Sequence, residues 1–191
     1  MAFDTAQKYC DYAPGDPLHA PYHDREYGFP VADDRALFER LVLEINQAGL
    51  SWGLILRKRP AMVAAFAGFD IATVARFGTR DRARLLKDAG IIRNRLKVDA
   101  AIENARRIEA IQERDGSFAA WLAARHPMTK GEWVKLFKKE FVFTGGEIVG
   151  EFLKSIGFLP GAHTDECPVA RKLARSRPKP PWLKAAPPGG W

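Results

Sequence analysis

Apolar residues return at helical spacing over most of the chain. Between Asp33 and Ala48 they stand at Leu37, Phe38, Leu41, Val42 and Ile45, the one-face recurrence of a 3.6-residue period. Asp33 or Asp34 can cap that helix, and Gly49 ends it. Ser51 can cap a second helix, WGLILRKR, with Pro60 suited to open a further turn as a first helical residue. Asp70 and Thr79 have the chemistry of caps for short helices. In DAGIIRNRLK, Gly90 stops one helix, a short apolar connection follows, and a long helix runs from about Asn94 to Arg114. Ser117 can cap FAAWLAARH, Thr129 can cap EWVKLFKKE, the Gly-Gly turn of FVFTGGEIVGEFLKSIG opens another helix, and Asp165 can cap the last. Period-2 alternation is confined to EFVFT, too short to build a sheet. Residues 1–32 read as irregular, punctuated by Pro14, Gly15, Pro17, Pro21, Gly28 and Pro30. The pattern predicts an all-α fold of many short helices, in which function sits in clefts between helices.

A chain of 191 residues can bury a sizeable core, and residues 1–170 are expected to form one domain, or two lobes with a pocket between them. Charge changes the picture at one end only. Six basic residues and no acid lie between Arg171 and Trp191; without these six the net +7 becomes +1 for residues 1–170. The body is close to neutral, so net charge alone does not argue for nucleic acid. The stretch RPKPPWLKAAPPGGW from Arg177 reads as a basic, largely disordered tail. No stretch approaches the roughly 18 apolar residues of a membrane span. The N-terminus has no basic segment followed by an apolar run, so a cytoplasmic, reducing location is expected.

Two stretches carry candidate chemistry. Each of the two cysteines has a histidine near it: Cys10 and His23 toward one terminus, His163 and Cys167 toward the other. Together they offer a Cys2His2 set for a tetrahedral zinc, a clip joining the first and last parts of the chain. His19 is an alternative to His23, four such residues can also fall this way by chance, and His126 suits a helix end. The second stretch, LEINQAGLSW, puts Glu44 among Leu37, Leu41 and Ile45, with Trp52 eight residues on. A carboxylate there either faces a cavity, where with aromatic walls it would suit a cationic ring, or pairs with Arg40 at the surface.

Read together, DPLHAPYHDREYGFP, LFERLVLEINQAGLSW, DAGIIRNRLK, FTGGEIVGEFL and GAHTDECP resemble the DNA-3-methyladenine glycosylase I family of the helix-hairpin-helix superfamily, over most of residues 10–168. The resemblance implies a monofunctional base-excision enzyme that flips 3-methyladenine out of alkylated double-stranded DNA and hydrolyses its glycosidic bond, releasing the free base. It implies a structural zinc on Cys10, His23, His163 and Cys167. Glu44 matches the base-recognising carboxylate and is the candidate catalytic group. Tyr22, Tyr27 and Trp52 match the aromatic wall, Tyr27 standing where the family often has Trp. Gly145 and Gly146 match a DNA-binding hairpin, beside which Glu147 is an awkward charge. Asn46 and Ile45 depart from the pattern next to the pocket. Arg93, Arg95 and Lys97 are unspecific candidates for phosphate, as are Lys135, Lys138 and Lys139. A monomer is expected, and a non-catalytic binder of alkylated or distorted DNA is the alternative on the same scaffold.

Overall fold

The computed structural model describes residues 5–191, which contain eleven α-helices and no strand. The first two, α1 (Thr5–Tyr12) and α2 (Ala20–Arg25), occupy the segment expected to be irregular. The local chemistry explains the difference. Asp16 accepts the backbone N–H groups of Leu18 (2.8 Å) and His19 (3.2 Å), and Pro21 sits in the first turn of α2, where a missing N–H costs nothing.

The helices α3 (Asp34–Gln47), α4 (Trp52–Ala65), α5 (Ile71–Ala75), α6 (Thr79–Lys87) and α7 (Arg95–Asp115) follow. Then come α8 (Phe118–Ala123), α9 (Lys130–Glu140), α10 (Gly146–Ser155) and α11 (Pro168–Arg175). The side chains of Asp33, Ser51, Asp70, Asn94, Ser117 and Thr129 each accept an N–H of the first turn they precede. Three expectations about ends are corrected. Pro60 lies inside α4 rather than starting a new helix. Thr79 is the first residue of α6, behind an N-cap at Gly78 whose N–H is taken by Asp81 at 3.1 Å. The last helix starts at Pro168, behind Cys167 and not Asp165, because a proline fits the first helical position.

Helix α3 is the axis of the fold. It packs against α4, α7, α8 and α10. Leu37, Phe38, Leu41, Val42, Leu43 and Ile45 are all fully buried, so the helix is apolar on more than one face. Its first residue ties two further helices in: Asp34 accepts the N–H groups of Phe118 (2.8 Å) and Ala119 (2.9 Å) at the start of α8 and the Gln112 amide of α7 (2.7 Å). Helix α5 packs closely on α7, and α9 packs on α10 across a five-residue connection, residues 141–145.

The segment after α11 lies against the body, in contrast to the disordered tail read from its composition. Trp182 N–H donates to Gly157 O (3.2 Å), His126 Nε2 donates to Pro181 O (3.0 Å), and the rings of His126 and Trp191 stack 5.8 Å apart. Pro180 and Pro187 are buried. His126 therefore receives the tail instead of capping a helix. Prolines restrict the chain before it docks, which lowers the entropy lost on ordering.

Replacing Asp34 with alanine removes three hydrogen bonds that join α3 to α7 and α8. Asp34→Ala is expected to lower unfolding stability by about 1–3 kcal/mol in a denaturant titration, with an unchanged m-value.

Candidate active site

A cleft of ≈ 1020 Å³ opens where α1, α2, the α3–α4 turn and the start of α10 meet. Glu44, near the C-terminal end of α3, forms its floor at 4% exposure. Tyr22 and Tyr27 stack with ring centroids 5.7 Å apart, and Trp52 tilts against Tyr22 at 4.9 Å. Tyr9 and Tyr12 complete the aromatic side. The Tyr22 hydroxyl and the Trp52 indole N–H are buried and complete no well-aligned hydrogen bond, with Arg40 beside the first and Tyr9 beside the second, and both residues line the cleft.

Among the described residues Glu44 has no ion-pair partner. Arg40, the alternative read from sequence, is taken by Glu26 at 2.8 Å, in a network where Arg59 holds both Glu26 (2.8 Å) and Glu39 (2.7 Å), and its guanidinium lies 4.8 Å from the Tyr22 ring centroid. Burial, reinforced by the charge of Glu151, pushes the Glu44 carboxyl up to about 8, against weaker opposition from Arg40 and Lys154. The empty cleft thus favours a neutral acid, which a cationic ligand would ionise.

The turn that carries the cleft rim is held by Lys97. Its ammonium is buried and donates to Asn46 O (2.8 Å) and Ala48 O (2.6 Å), closing the C-terminus of α3. The sequence reading grouped Lys97 with candidate phosphate contacts; its stem is instead drawn inward to unsatisfied carbonyls. Arg93 and Arg95 are exposed, as are Lys135, Lys138 and Lys139 on α9. Asn46 turns its amide back to Val42 O (2.8 Å), away from the cleft.

On the opposite rim, Gly145 and Gly146 open α10. Asn104 on α7 clamps Val142 in both directions, Nδ2 to O (3.1 Å) and N–H to Oδ1 (2.9 Å), and Thr144 donates to Phe137 O (3.1 Å). Between these anchors Phe143 is held at φ 59°, a strained conformation for a residue with a side chain. A Cβ on Gly145 would meet nothing within 4 Å, so the protein itself leaves that surface open. Glu147 is exposed and paired with Lys130 at 3.0 Å.

Behind the aromatic wall, Cys10, His23, His163 and Cys167 converge, with ligand atoms all within 4.8 Å of one another. The Cys10 Sγ–His163 Nδ1, Cys167 Sγ–His163 Nδ1 and Cys167 Sγ–His23 Nε2 distances are each 3.7 Å. A tetrahedral ion bonded to sulfur and nitrogen at ordinary zinc distances sets them about 3.6 Å apart. The outer contacts fit as well. His23 Nδ1 is held by Asp24 at 2.7 Å and His163 Nε2 by Tyr27 O at 2.8 Å, leaving the other nitrogen of each ring to face the cluster. Burial holds the His163 ring below the usual histidine range, in its neutral, ligating form. His19 lies outside the cluster, beside Tyr9 at 3.5 Å.

The sequence reading missed Glu151 of α10, which lines the cleft and accepts from the Tyr27 hydroxyl at 3.0 Å. Tyr9, Tyr12 and Gln47 were missed too. The local sequence offers little signal for Glu151, since its contact spans 124 residues.

With this geometry in view, comparison with known proteins is informative. The family described as methyladenine glycosylase matches residues 12–133. DNA-3-methyladenine glycosylase 1 of Escherichia coli (strain K12) is 36% identical over 151 residues, covering 78% of this chain and 81% of its own. The corresponding Haemophilus influenzae enzyme is 32% identical, covering 83% and 96%. The solved structure of 3-methyladenine DNA glycosylase I from Staphylococcus aureus, determined to explain its recognition of 3-methyladenine, is 31% identical, covers 86% of this chain and 97% of its own, and superimposes with a TM-score of 0.75. Sequence and fold agree: this chain belongs to the methyladenine glycosylase family.

Proposed function

We propose that the chain removes 3-methyladenine from alkylated double-stranded DNA by hydrolysing its N-glycosidic bond, leaving an abasic site and the free base. The observation that carries this reading is Glu44: a buried carboxylate with no ion-pair partner among the described residues, facing a cleft walled by Tyr22, Tyr27 and Trp52. Methylation at N3 gives adenine a positive charge and weakens its bond to the sugar. A base flipped into this cleft brings that charge to Glu44, and its exocyclic N–H finds an acceptor there. Aromatic faces add cation–π attraction worth about 2 kcal/mol when desolvated. The leaving group is already good, so the site's work is to hold the ring, exclude bulk water and stabilise the positive charge that develops on the sugar. Water is the final acceptor of the sugar.

Gly145 and Gly146, at the start of α10, are read as the contact for a DNA phosphate: the backbone is accessible, and helix-start N–H groups favour anions. Leu50, exposed at the tip of the α3–α4 turn, is an apolar group at the opposite rim. Residues 1–170 are read as one glycosylase unit, since α2, α3 and α10 all contribute to the one cleft.

Cys10, His23, His163 and Cys167 are read as the ligands of one zinc ion. A closed Cys2His2 set supplies restraint and not bound water, which fits a structural role. The clip would fix α2, and with it Tyr22 and Tyr27, against the segment that follows α10.

Three substitutions test this reading. Glu44→Gln should abolish most 3-methyladenine release, measured by chromatography of bases freed from methylated DNA. It should also alter stability with a defined sign. The folded-state pKa of Glu44 is raised, so its contribution to stability is present below pH about 4.5 and lost as pH rises through about 8. The Gln variant should therefore melt at a higher temperature than wild type above pH 8, with the advantage gone near pH 5; a parallel pair of pH profiles would contradict the burial account. Gly145→Val should leave the melting temperature nearly unchanged, because the space is open, yet weaken binding to duplex DNA several-fold and reduce its salt dependence. Cys167→Ser should speed amide exchange near both α2 and α11, and unchanged exchange there would count against the clip.

A further inference from the structure

Glu151 is a second acid in the cleft. It comes from α10, which packs against α3, so Glu44 and Glu151 approach the same space from two facing helices. One carboxylate oxygen accepts from the Tyr27 hydroxyl at 3.0 Å; the other accepts from Lys154, one turn along α10, at 2.7 Å. The side chain is 30% exposed and lines the cleft. A glutamate whose only task was to satisfy a tyrosine hydroxyl could be a neutral amide. A negative charge placed beside another buried carboxylate costs free energy unless something positive joins them. Lys154 compensates Glu151 from outside, while Arg40 is committed to Glu26, so Glu44 stays without a direct partner.

We infer that Glu151 is a second recognition carboxylate, a specificity-determining residue that faces the bound base together with Glu44 and biases the cleft toward a ring carrying positive charge. The inference rests on the base-pocket reading above. In the empty cleft the two carboxylates repel, and Glu44 retains its proton. A cationic ring placed between them relieves the repulsion, and the proton leaves Glu44 for solvent. A neutral base offers no such relief, so the pair discriminates by charge where shape alone would not. The groups that face Glu44 are Arg40 on its own helix, Glu151 and Lys154 on α10, and the neutral hydroxyls of Tyr22 and Tyr27.

The test separates charge from contact. The Glu44 carboxyl is titrated by carbon-13 NMR in the folded, zinc-loaded protein, alongside the pH profile of kcat/KM for 3-methyladenine release. In Glu151→Gln, which keeps an acceptor for Tyr27, the Glu44 midpoint and the rising limb of kcat/KM should both move to lower pH by about 0.5–1 unit, and release at the plateau should fall about threefold or more. In Tyr27→Phe, which keeps the charge and removes the contact, the midpoint should stay at the wild-type value. Should Glu151→Gln fail to fold, Glu151→Ser carries the same expectation for the midpoint. An unmoved midpoint in the Gln or Ser variant, or an equal shift in Tyr27→Phe, overturns the inference. A midpoint that moves in Glu151→Gln, together with a wild-type protein that releases no 3-methyladenine, overturns the base-pocket reading and the recognition role with it.

Discussion

A carboxylate inside an apolar helix sets the terms for the rest of this structure. Helix α3 is surrounded by four others, and Glu44 sits on it beside side chains that never meet water. Such a group is destabilising in its charged form unless a partner reaches it. Arg40, one turn earlier, is the obvious partner, and the fold diverts it to Glu26 through a network that also holds Arg59. The electrostatic need is left for the cleft. Aromatic rings, the Tyr22 hydroxyl and the Trp52 indole N–H surround the same space, so the walls around Glu44 are stiff and carry polar edges.

Positioning comes from contacts far apart in sequence. Lys97 on α7 fastens the end of α3 and the turn that follows, which sets Ser51 and Trp52 at the rim. Asn104, two turns along the same helix, clamps Val142 and with it the strained approach to Gly145. One long helix thereby fixes both rims of the cleft from behind. The Cys2His2 cluster acts on the third side: His163 Nε2 holds the carbonyl of Tyr27, linking the candidate metal site directly to the aromatic wall.

How much of this was legible in the sequence follows the range of each interaction. Caps such as Asn94 and Thr129 act within three residues and could be read from their neighbours. The core face of α3 shows as periodicity. The helices α1 and α2 were hidden because they are short and prolines and glycines crowd the segments between and after them, while Pro21 occupies a position where proline is tolerated. The approach of Cys10 to His163 spans 153 residues; the residue types suggested a shared site with chance as the alternative, and the resemblance to a known family favoured the site. Lys97 read as a surface cation because nothing local reveals two open carbonyls across the fold. Glu151 and the docking of the tail on His126 have the same character: ordinary residues whose meaning lies in distant partners.

The most direct test of the account is chromatographic detection of bases released when the purified wild-type protein meets methylated duplex DNA. The account predicts release of 3-methyladenine with an equal number of abasic sites, and 7-methylguanine left in place. A folded protein that binds the DNA yet frees no base would contradict it, and would make the cleft a binding site for alkylated or distorted DNA without the chemistry.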